Sequence, residues 1–92
     1  MIRSFADKAT ETLFKEGHHR SFGTASASAL RKLKQLDLVE ALDQLRIPPG
    51  NRLEALRGNR AGQHSIRVND QYRVCFRWTE QGPEDVAIID YH

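Results

Sequence analysis

The fold of this chain is decided by residues 72–78, which read Tyr-Arg-Val-Cys-Phe-Arg-Trp. Large apolar side chains occupy every second position, and Arg73, Cys75 and Arg77 occupy the positions between them. Successive side chains of a β-strand point to opposite faces of a sheet, so this alternation predicts a strand. Its apolar positions should face a hydrophobic core, and its arginine positions should face solvent or a ligand.

The segments around this strand predict the rest of a sheet. In one of them His64, Ile66 and Val68 share a face. In another, residues 86–89 form an apolar run, which is typical of a central strand covered on both faces. The predicted neighbouring strands are residues 2–5, as an edge strand, and residues 52–56, 63–68 and 84–91.

Two helices should precede these strands. Asp7 is a suitable N-cap for a helix with an apolar stripe, and Gly17 is a suitable C-terminal stop. Ser26 or Ser28 can cap a second helix, whose apolar spacing continues to about Arg46. Asp37 would mark a break or a cap within it. The prolines and glycine at 48–50 then end the helical region.

The resulting order, β-α-α-β-β-β-β, predicts an α+β fold in which the helices pack on one face of a mostly antiparallel twisted sheet. At 92 residues the chain is long enough for one core, so we expect a single domain over residues 1–92. The chain is 39 % hydrophobic and 28 % charged, which is typical of a soluble globular protein rather than a disordered one.

Several functional classes are disfavoured by the sequence. No apolar run is long enough to span a bilayer, and no signal peptide follows Met1, so we expect a cytoplasmic protein without a membrane partner. Cys75 is the only cysteine and cannot form an internal disulfide. We expect no cofactor and no metal, because phosphate-binding glycine motifs are absent and adjacent His18 and His19 cannot present both imidazoles on one face.

Charge is concentrated in residues 51–77. This segment contains six arginines and no lysine, against the two acids Glu54 and Asp70, although the whole chain carries only +2. Arginine forks onto phosphate oxygens and stacks on bases, so the patch suits RNA or another phosphate ligand. A solvated strand face with internal ion pairs explains the same pattern. For Glu54 itself, an ion pair and a general base are both open.

The chain ends in Asp90-Tyr91-His92, directly after the last predicted strand. Asp and His are candidate acid–base groups, and Tyr is a hydrogen-bond donor or a stacking ring. If the strand anchors this ending near the arginines, their charge could stabilise a reacting phosphate. A structural tail with no chemical role is the alternative.

Residues 48–76 resemble the HigB-type toxins of the RelE/ParE superfamily. The similar stretch runs from Pro48-Pro49-Gly50-Asn51-Arg52 through Gln71-Tyr72-Arg73-Val74-Cys75-Phe76. The opening Met-Ile-Arg-Ser-Phe and the ending Asp-Tyr-His also match, so the resemblance covers essentially the whole chain. It implies the RelE-like fold, in agreement with the order of elements above.

The resemblance also implies which residues carry the chemistry. The family's catalytic features fall on Arg73, Asp90, Tyr91 and His92, and its basic residue before the turn glycine falls on Arg57. Some members carry His where this chain has Glu54, so the base is sought at Asp90 or His92. The other arginines expected to bind RNA are Arg52, Arg60, Arg67 and Arg77.

The implied activity is that of a type II toxin that cleaves messenger RNA on the ribosome. The 2′-hydroxyl of a nucleotide would attack the adjacent phosphate without a metal, and Arg73 and Arg57 would stabilise the charge that develops. The implied partners are a helix-turn-helix antitoxin, the ribosome and messenger RNA, with operator DNA bound only through the antitoxin. A ParE-like toxin that binds gyrase without catalysis and a plain RNA-binding module are the alternatives.

Overall fold

Residues 72–78 lie within the longest ladder of a four-stranded antiparallel sheet. The computed structural model describes residues 1–91. The strands follow one another across the sheet in chain order. They are β1 (Glu54–Ala55), β2 (His64–Arg67), β3 (Tyr72–Thr79) and β4 (Gly82–Asp90). The predicted antiparallel sheet and the predicted alternation of β3 are both confirmed.

Two helices cover one face of the sheet. They are α1 (Lys8–Glu16) and α2 (Ser26–Leu38). Their buried residues Leu13, Leu33 and Leu36 belong to the same core cluster as Val74 and Phe76 of β3. The apolar positions of β3 therefore face the helices, as predicted.

The first helix has the predicted boundaries. The Asp7 carboxylate accepts a hydrogen bond from the Thr10 N–H at 2.7 Å, which satisfies a free donor of the first turn. Gly17 follows the helix with φ 92°, a left-handed conformation that favours glycine, and its N–H donates to the Leu13 carbonyl.

The second helix differs from its prediction at both ends. It begins at Ser26 after Ala25, and no side-chain cap bonds its first turn. It ends at Leu38 because the next residue is extended, and Leu42–Arg46 is a separate 3₁₀ turn. Asp37 instead accepts a hydrogen bond from the Ile2 N–H at 2.8 Å, which ties the helix end to the N-terminal segment.

The predicted edge strand at residues 2–5 is reduced to a single bridge. Phe5 pairs with Val86 in the parallel direction, and the Arg3 N–H donates to the Pro83 carbonyl at 2.7 Å. The pairing is short because the chain turns at Asp7 into the first helix. The segment nevertheless covers the outer edge of β4, where Val86, Ala87 and Ile88 are buried.

The predicted strand at residues 52–56 is shortened to two residues. Asn51 is fully buried and ends a 3₁₀ turn, and Arg52 has the left-handed φ of 48°. Extended pairing therefore begins only at Glu54, which is opposite Ser65.

No helix within residues 1–91 combines the length and the apolar character needed to cross a lipid bilayer.

Candidate active site on the arginine face

The sheet surface opposite the helices carries the arginines. The register pairs Glu54 with Ser65, Ser65 with Cys75, and Arg67 with Arg73. Directly paired residues of an antiparallel sheet point to the same side. We call this surface the arginine face. It consists of Glu54, Ser65, Arg67, Arg73, Cys75, Arg77, Glu84, Ala87, Ile89 and Tyr91.

Arg73 is held in one orientation at the centre of this face. Its Nε donates to Ser65 Oγ at 2.8 Å, and its Nη2 donates to the Arg52 carbonyl at 2.7 Å. The side chain is only 12 % exposed, and Ser65 is fully buried. Since a guanidinium has five N–H donors, these bonds fix its plane and leave further donors for an anion. Preorganised donors of this kind stabilise charge that develops on a phosphate.

Glu54 lies beside this guanidinium. Its Oε1 is 3.4 Å from Arg73 Nη2, and its side chain is 55 % exposed. The ion-pair interpretation of Glu54 is therefore confirmed. Because the carboxylate reaches both the arginine and the solvent, it is also accessible to a ligand that approaches Arg73.

Tyr91 reaches the same guanidinium from the C-terminal end of β4. The Cζ of Arg73 lies over the Tyr91 ring, 6.0 Å from its centroid, at the limit of a cation–π contact. Tyr91 is 45 % exposed, so a ligand can reach it from solvent. The tyrosine and the arginine singled out by sequence thus lie together.

Asp90 occupies the alternate position of the strand. It pairs with Tyr72, whose ring contacts Phe22 on the helix side of the sheet. The Asp90 carboxylate is exposed and accepts a hydrogen bond from Gln71 Nε2 at 3.1 Å. The sequence predicts that the C-terminal residues lie together beside the arginines. In the structure, the register places Asp90 on the other face of the strand from Tyr91. His92 lies outside the described residues.

The remaining arginines are spread around Arg73. Arg67 forms an ion pair with Asp70 on the same face. Arg60 donates to Gln63 Oε1 at 3.2 Å, and the guanidinium of Arg77 lies so close to Gly62 that a Cβ there would be 2.8 Å from Nη1. Acids adjoin three of these arginines, because Asp70 pairs with Arg67, Glu54 lies beside Arg73, and Glu84 is opposite Arg77 in the β3–β4 register.

Two of the predicted site arginines, Arg52 for RNA binding and Arg57 for catalysis, lie in loops at the edge of the sheet. Arg52 is exposed, and its carbonyl supports Arg73. Arg57 is exposed and directly precedes Gly58, whose φ is 63°. The catalytic role of Arg57 stays a prediction.

Cys75 and His64 pack within the sheet. Burial raises the pKa of the Cys75 thiol, although Arg60 and Arg73 act in the opposite direction, so the thiol is neutral and inert at neutral pH. The His64 ring stacks on Phe76 with 6.3 Å between centroids, as expected for a packed histidine. Within residues 1–91, no three His, Cys, Asp or Glu side chains cluster in a way that could hold a metal ion.

Two polar residues of the site were not identified from the sequence. Ser65 holds Arg73, and Gln71 bonds both to Asp90 and, through its carbonyl, to the Tyr91 N–H at 2.7 Å. The period-two pattern places Ser65 on the same face as Arg67, which was an available signal. Gln71 gave no such signal, because its contacts depend on the register between β3 and β4.

Comparisons with known proteins identify the family. Residues 3–92 match the family model of the HigB-like toxins, described as the RelE-like toxin of the type II toxin–antitoxin system HigB. The chain belongs to the HigB-like toxin family. It is 46 % identical over 82 residues to Toxin HigB-1 of Vibrio cholerae, which covers 87 % of this chain and 86 % of that protein.

Two further proteins are similar to this toxin. An uncharacterised protein of Haemophilus influenzae is 42 % identical over 62 residues, covering 67 % of this chain and 60 % of that protein. The YoeB–YefM complex of Staphylococcus aureus contains a chain with a TM-score of 0.59 and 20 % identity, covering all of this chain and 95 % of that one. That likeness supports the RelE-like fold. The family is one of type II toxin–antitoxin systems, so the partner of this toxin is an antitoxin.

Proposed function

We propose that this toxin inhibits translation by cleaving messenger RNA bound to the ribosome, in the cytoplasm. The observation that carries the proposal is the anchored guanidinium of Arg73, which lies close to both Glu54 and Tyr91. This arrangement combines an anion-stabilising group, an exposed carboxylate and an exposed ring within one open surface. An RNA strand could contact all three through a phosphate, a ribose hydroxyl and a base.

The chemistry is a transfer within the RNA itself. The 2′-oxygen forms a bond to the adjacent phosphorus while the bond from phosphorus to the 5′-oxygen of the next nucleotide breaks. The products are a 2′,3′-cyclic phosphate and a 5′-hydroxyl. Negative charge develops on the phosphate oxygens in this step, and Arg73 is placed to stabilise it.

A proton must leave the 2′-hydroxyl and another must reach the departing 5′-oxygen. The sequence points to Asp90 or His92 as the acceptor. The geometry supports Glu54 for this role, because it is the carboxylate beside Arg73 and on the same face as Tyr91. His92 is then our candidate for the proton donor, and Tyr91 stacks on a base.

Docking on the ribosome would use the surrounding arginines. Arg52, Arg57, Arg60, Arg67 and Arg77 surround the Arg73 centre and would contact phosphates of ribosomal or messenger RNA. We further propose that the antitoxin contains a helix-turn-helix domain and that the toxin meets operator DNA only through it.

A translation extract tests this proposal. Purified toxin is added to an extract that translates a defined message, and primer extension maps breaks in that message. We expect breaks within translated codons that vanish when initiation is blocked, and no breaks with Arg73→Lys. Arg31→Lys, an exposed change on α2, should cut like the wild type. An intact message together with inhibited DNA supercoiling by gyrase would instead support the non-enzymatic alternative.

A further inference from the structure

The C-terminal end of β4 needs a partner to hold it in place. The last cross-strand pair of the sheet joins Tyr72 to Asp90, and Tyr91 lies one residue beyond this ladder. Chain segments beyond the last ladder pair fray unless other contacts hold them. The ring of Tyr91 nevertheless lies against Arg73, so a contact outside the regular ladder must hold this segment there.

Gln71 makes two bonds to this segment. Its carbonyl accepts a hydrogen bond from the Tyr91 N–H at 2.7 Å, and its Nε2 donates to Asp90 Oδ2 at 3.1 Å. One residue thus bonds the backbone of the tyrosine and the carboxylate of the aspartate. The second bond is charge-assisted, which makes it stronger than a neutral one.

The turn that carries Gln71 is itself rigid. Asn69 Oδ1 accepts hydrogen bonds from the N–H groups of Gln71 and Tyr72, at 2.9 and 2.8 Å. The Val68 N–H donates to the Tyr72 carbonyl at 3.0 Å, and Asp70 pairs with Arg67. The position of Gln71 is therefore set by the β2–β3 hairpin, the same hairpin that contains Arg73 and Ser65.

We propose that Gln71 is a positioning residue that fixes the Asp90–Tyr91 segment in register with Arg73. The inference rests on the proposed ribonuclease function, in which Tyr91 contacts the RNA. Because one hairpin carries both the guanidinium and the residue that holds the tail, the distance between Arg73 and Tyr91 is set within a single rigid unit. Loss of the Gln71 side chain would loosen the tail without removing any group that touches the substrate.

Two substitutions at this position separate hydrogen bonding from size. Gln71→Ala removes the side-chain donor to Asp90 but keeps the backbone carbonyl that accepts from the Tyr91 N–H, and Gln71→Glu keeps the size but places a second carboxylate beside Asp90. Gln81→Ala is the matched control, because it removes the same exposed side chain at the tip of the β3–β4 hairpin. All three changes are at exposed positions, and melting curves are measured to check that each variant folds.

The kinetic readout is cleavage of a defined message on purified ribosomes. We expect Gln71→Ala to lower kcat by about tenfold with KM unchanged, because Tyr91 would be displaced relative to Arg73. Gln71→Glu should lose more, and Gln81→Ala should match the wild type. A raised KM with an unchanged kcat would show that Gln71 contacts RNA directly, and wild-type kinetics in both Gln71 variants would show that the tail is held without it. Either result overturns the proposal.

A second readout requires no RNA. Hydrogen exchange of the Tyr91 amide, measured by NMR, should be about tenfold faster in Gln71→Ala than in the wild type or Gln81→Ala, because exchange reports local opening. If the wild-type toxin leaves RNA intact, the proposed function is wrong. The exchange measurement then tests by itself whether Gln71 holds the Asp90–Tyr91 segment. Equal exchange in the three proteins would then refute it.

Discussion

The Cζ atom of Arg73 lies 6.0 Å from the centroid of the Tyr91 ring, although 18 positions separate the two residues in the chain. The contact arises because Arg73 pairs with Ile89 across β3 and β4, and Tyr91 is two residues further along the same face. The alternation of the strand thus places an aromatic ring and a guanidinium side by side. This relationship is the basis of the proposed active site.

Replacing Arg73 by lysine should abolish cleavage while preserving the fold. Lysine keeps the positive charge but cannot bond both Ser65 and the Arg52 carbonyl in a fixed plane. We expect the single-turnover rate to fall by about a hundredfold or more, with a small change in binding to ribosomes. The measurement is the cleavage rate on ribosomes alongside a sedimentation assay. A rate within twofold of the wild type would remove Arg73 from the chemistry.

Isosteric amides can identify the proton acceptor. Glu54→Gln keeps the shape of the side chain but cannot accept a proton, so we expect the rate to fall by about 10²- to 10⁴-fold if Glu54 is the base. Asp90→Asn makes the same change on the other side of the strand and should have a smaller effect. Single-turnover rates of the two variants decide between the carboxylates, and the reverse order would return the role to Asp90.

Activity should fall as salt rises, because docking displaces counterions from RNA phosphates. Each phosphate contact contributes a slope of about −0.7 on a log–log plot for single strands. Arg67→Gln should therefore make the slope shallower by about 0.7. Arg31→Gln, on the helical side, is the control and should leave the slope as it is. Equal slopes in all three proteins would contradict an RNA-binding role for the arginine face.

Asn51→Ala should strongly destabilise the toxin. Asn51 is fully buried, its Nδ2 donates to the Leu45 carbonyl and to Gln35 Oε1, both at 3.0 Å, and its Oδ1 accepts from Lys32 Nζ at 2.5 Å. Removing the amide leaves these groups without a partner, which should cost about 3 kcal/mol in the free energy of unfolding.

Urea denaturation measures this cost. Asn59→Ala is the matched control, since Asn59 is exposed in a loop and its loss should change stability by less than about 0.5 kcal/mol. Similar midpoints for the two variants would show that the buried network contributes little.

The sequence predicted those parts of the fold that depend on local patterns. Alternation identified β3 and its buried face, and Asp7 and Gly17 marked the ends of the first helix. The prediction from the sequence failed where a contact with a distant part of the chain overrides the local pattern. Asn51 is buried against α2, which leaves Arg52 in a left-handed conformation and delays β1 to Glu54.

The site was predictable only in part for the same reason. Arg73 and Tyr91 followed from the resemblance, and the pairing of Arg73 with Ile89 places both on one face. The bonds of Arg73 to Ser65 and of Gln71 to Asp90 require the register of three strands, which no single segment encodes. That Asp90 lies on the other face of the strand from Tyr91 is likewise known only from its pairing with Tyr72.

The ends of the cleaved message test the central claim most directly. The 3′ fragments and 5′ fragments produced by the toxin on translating ribosomes are isolated, and their termini are identified by enzymatic labelling and mass spectrometry. Attack by the neighbouring 2′-hydroxyl predicts a 2′,3′-cyclic phosphate on one fragment and a 5′-hydroxyl on the other. A 3′-hydroxyl with a 5′-phosphate would contradict the account, because the attacking group would then be water.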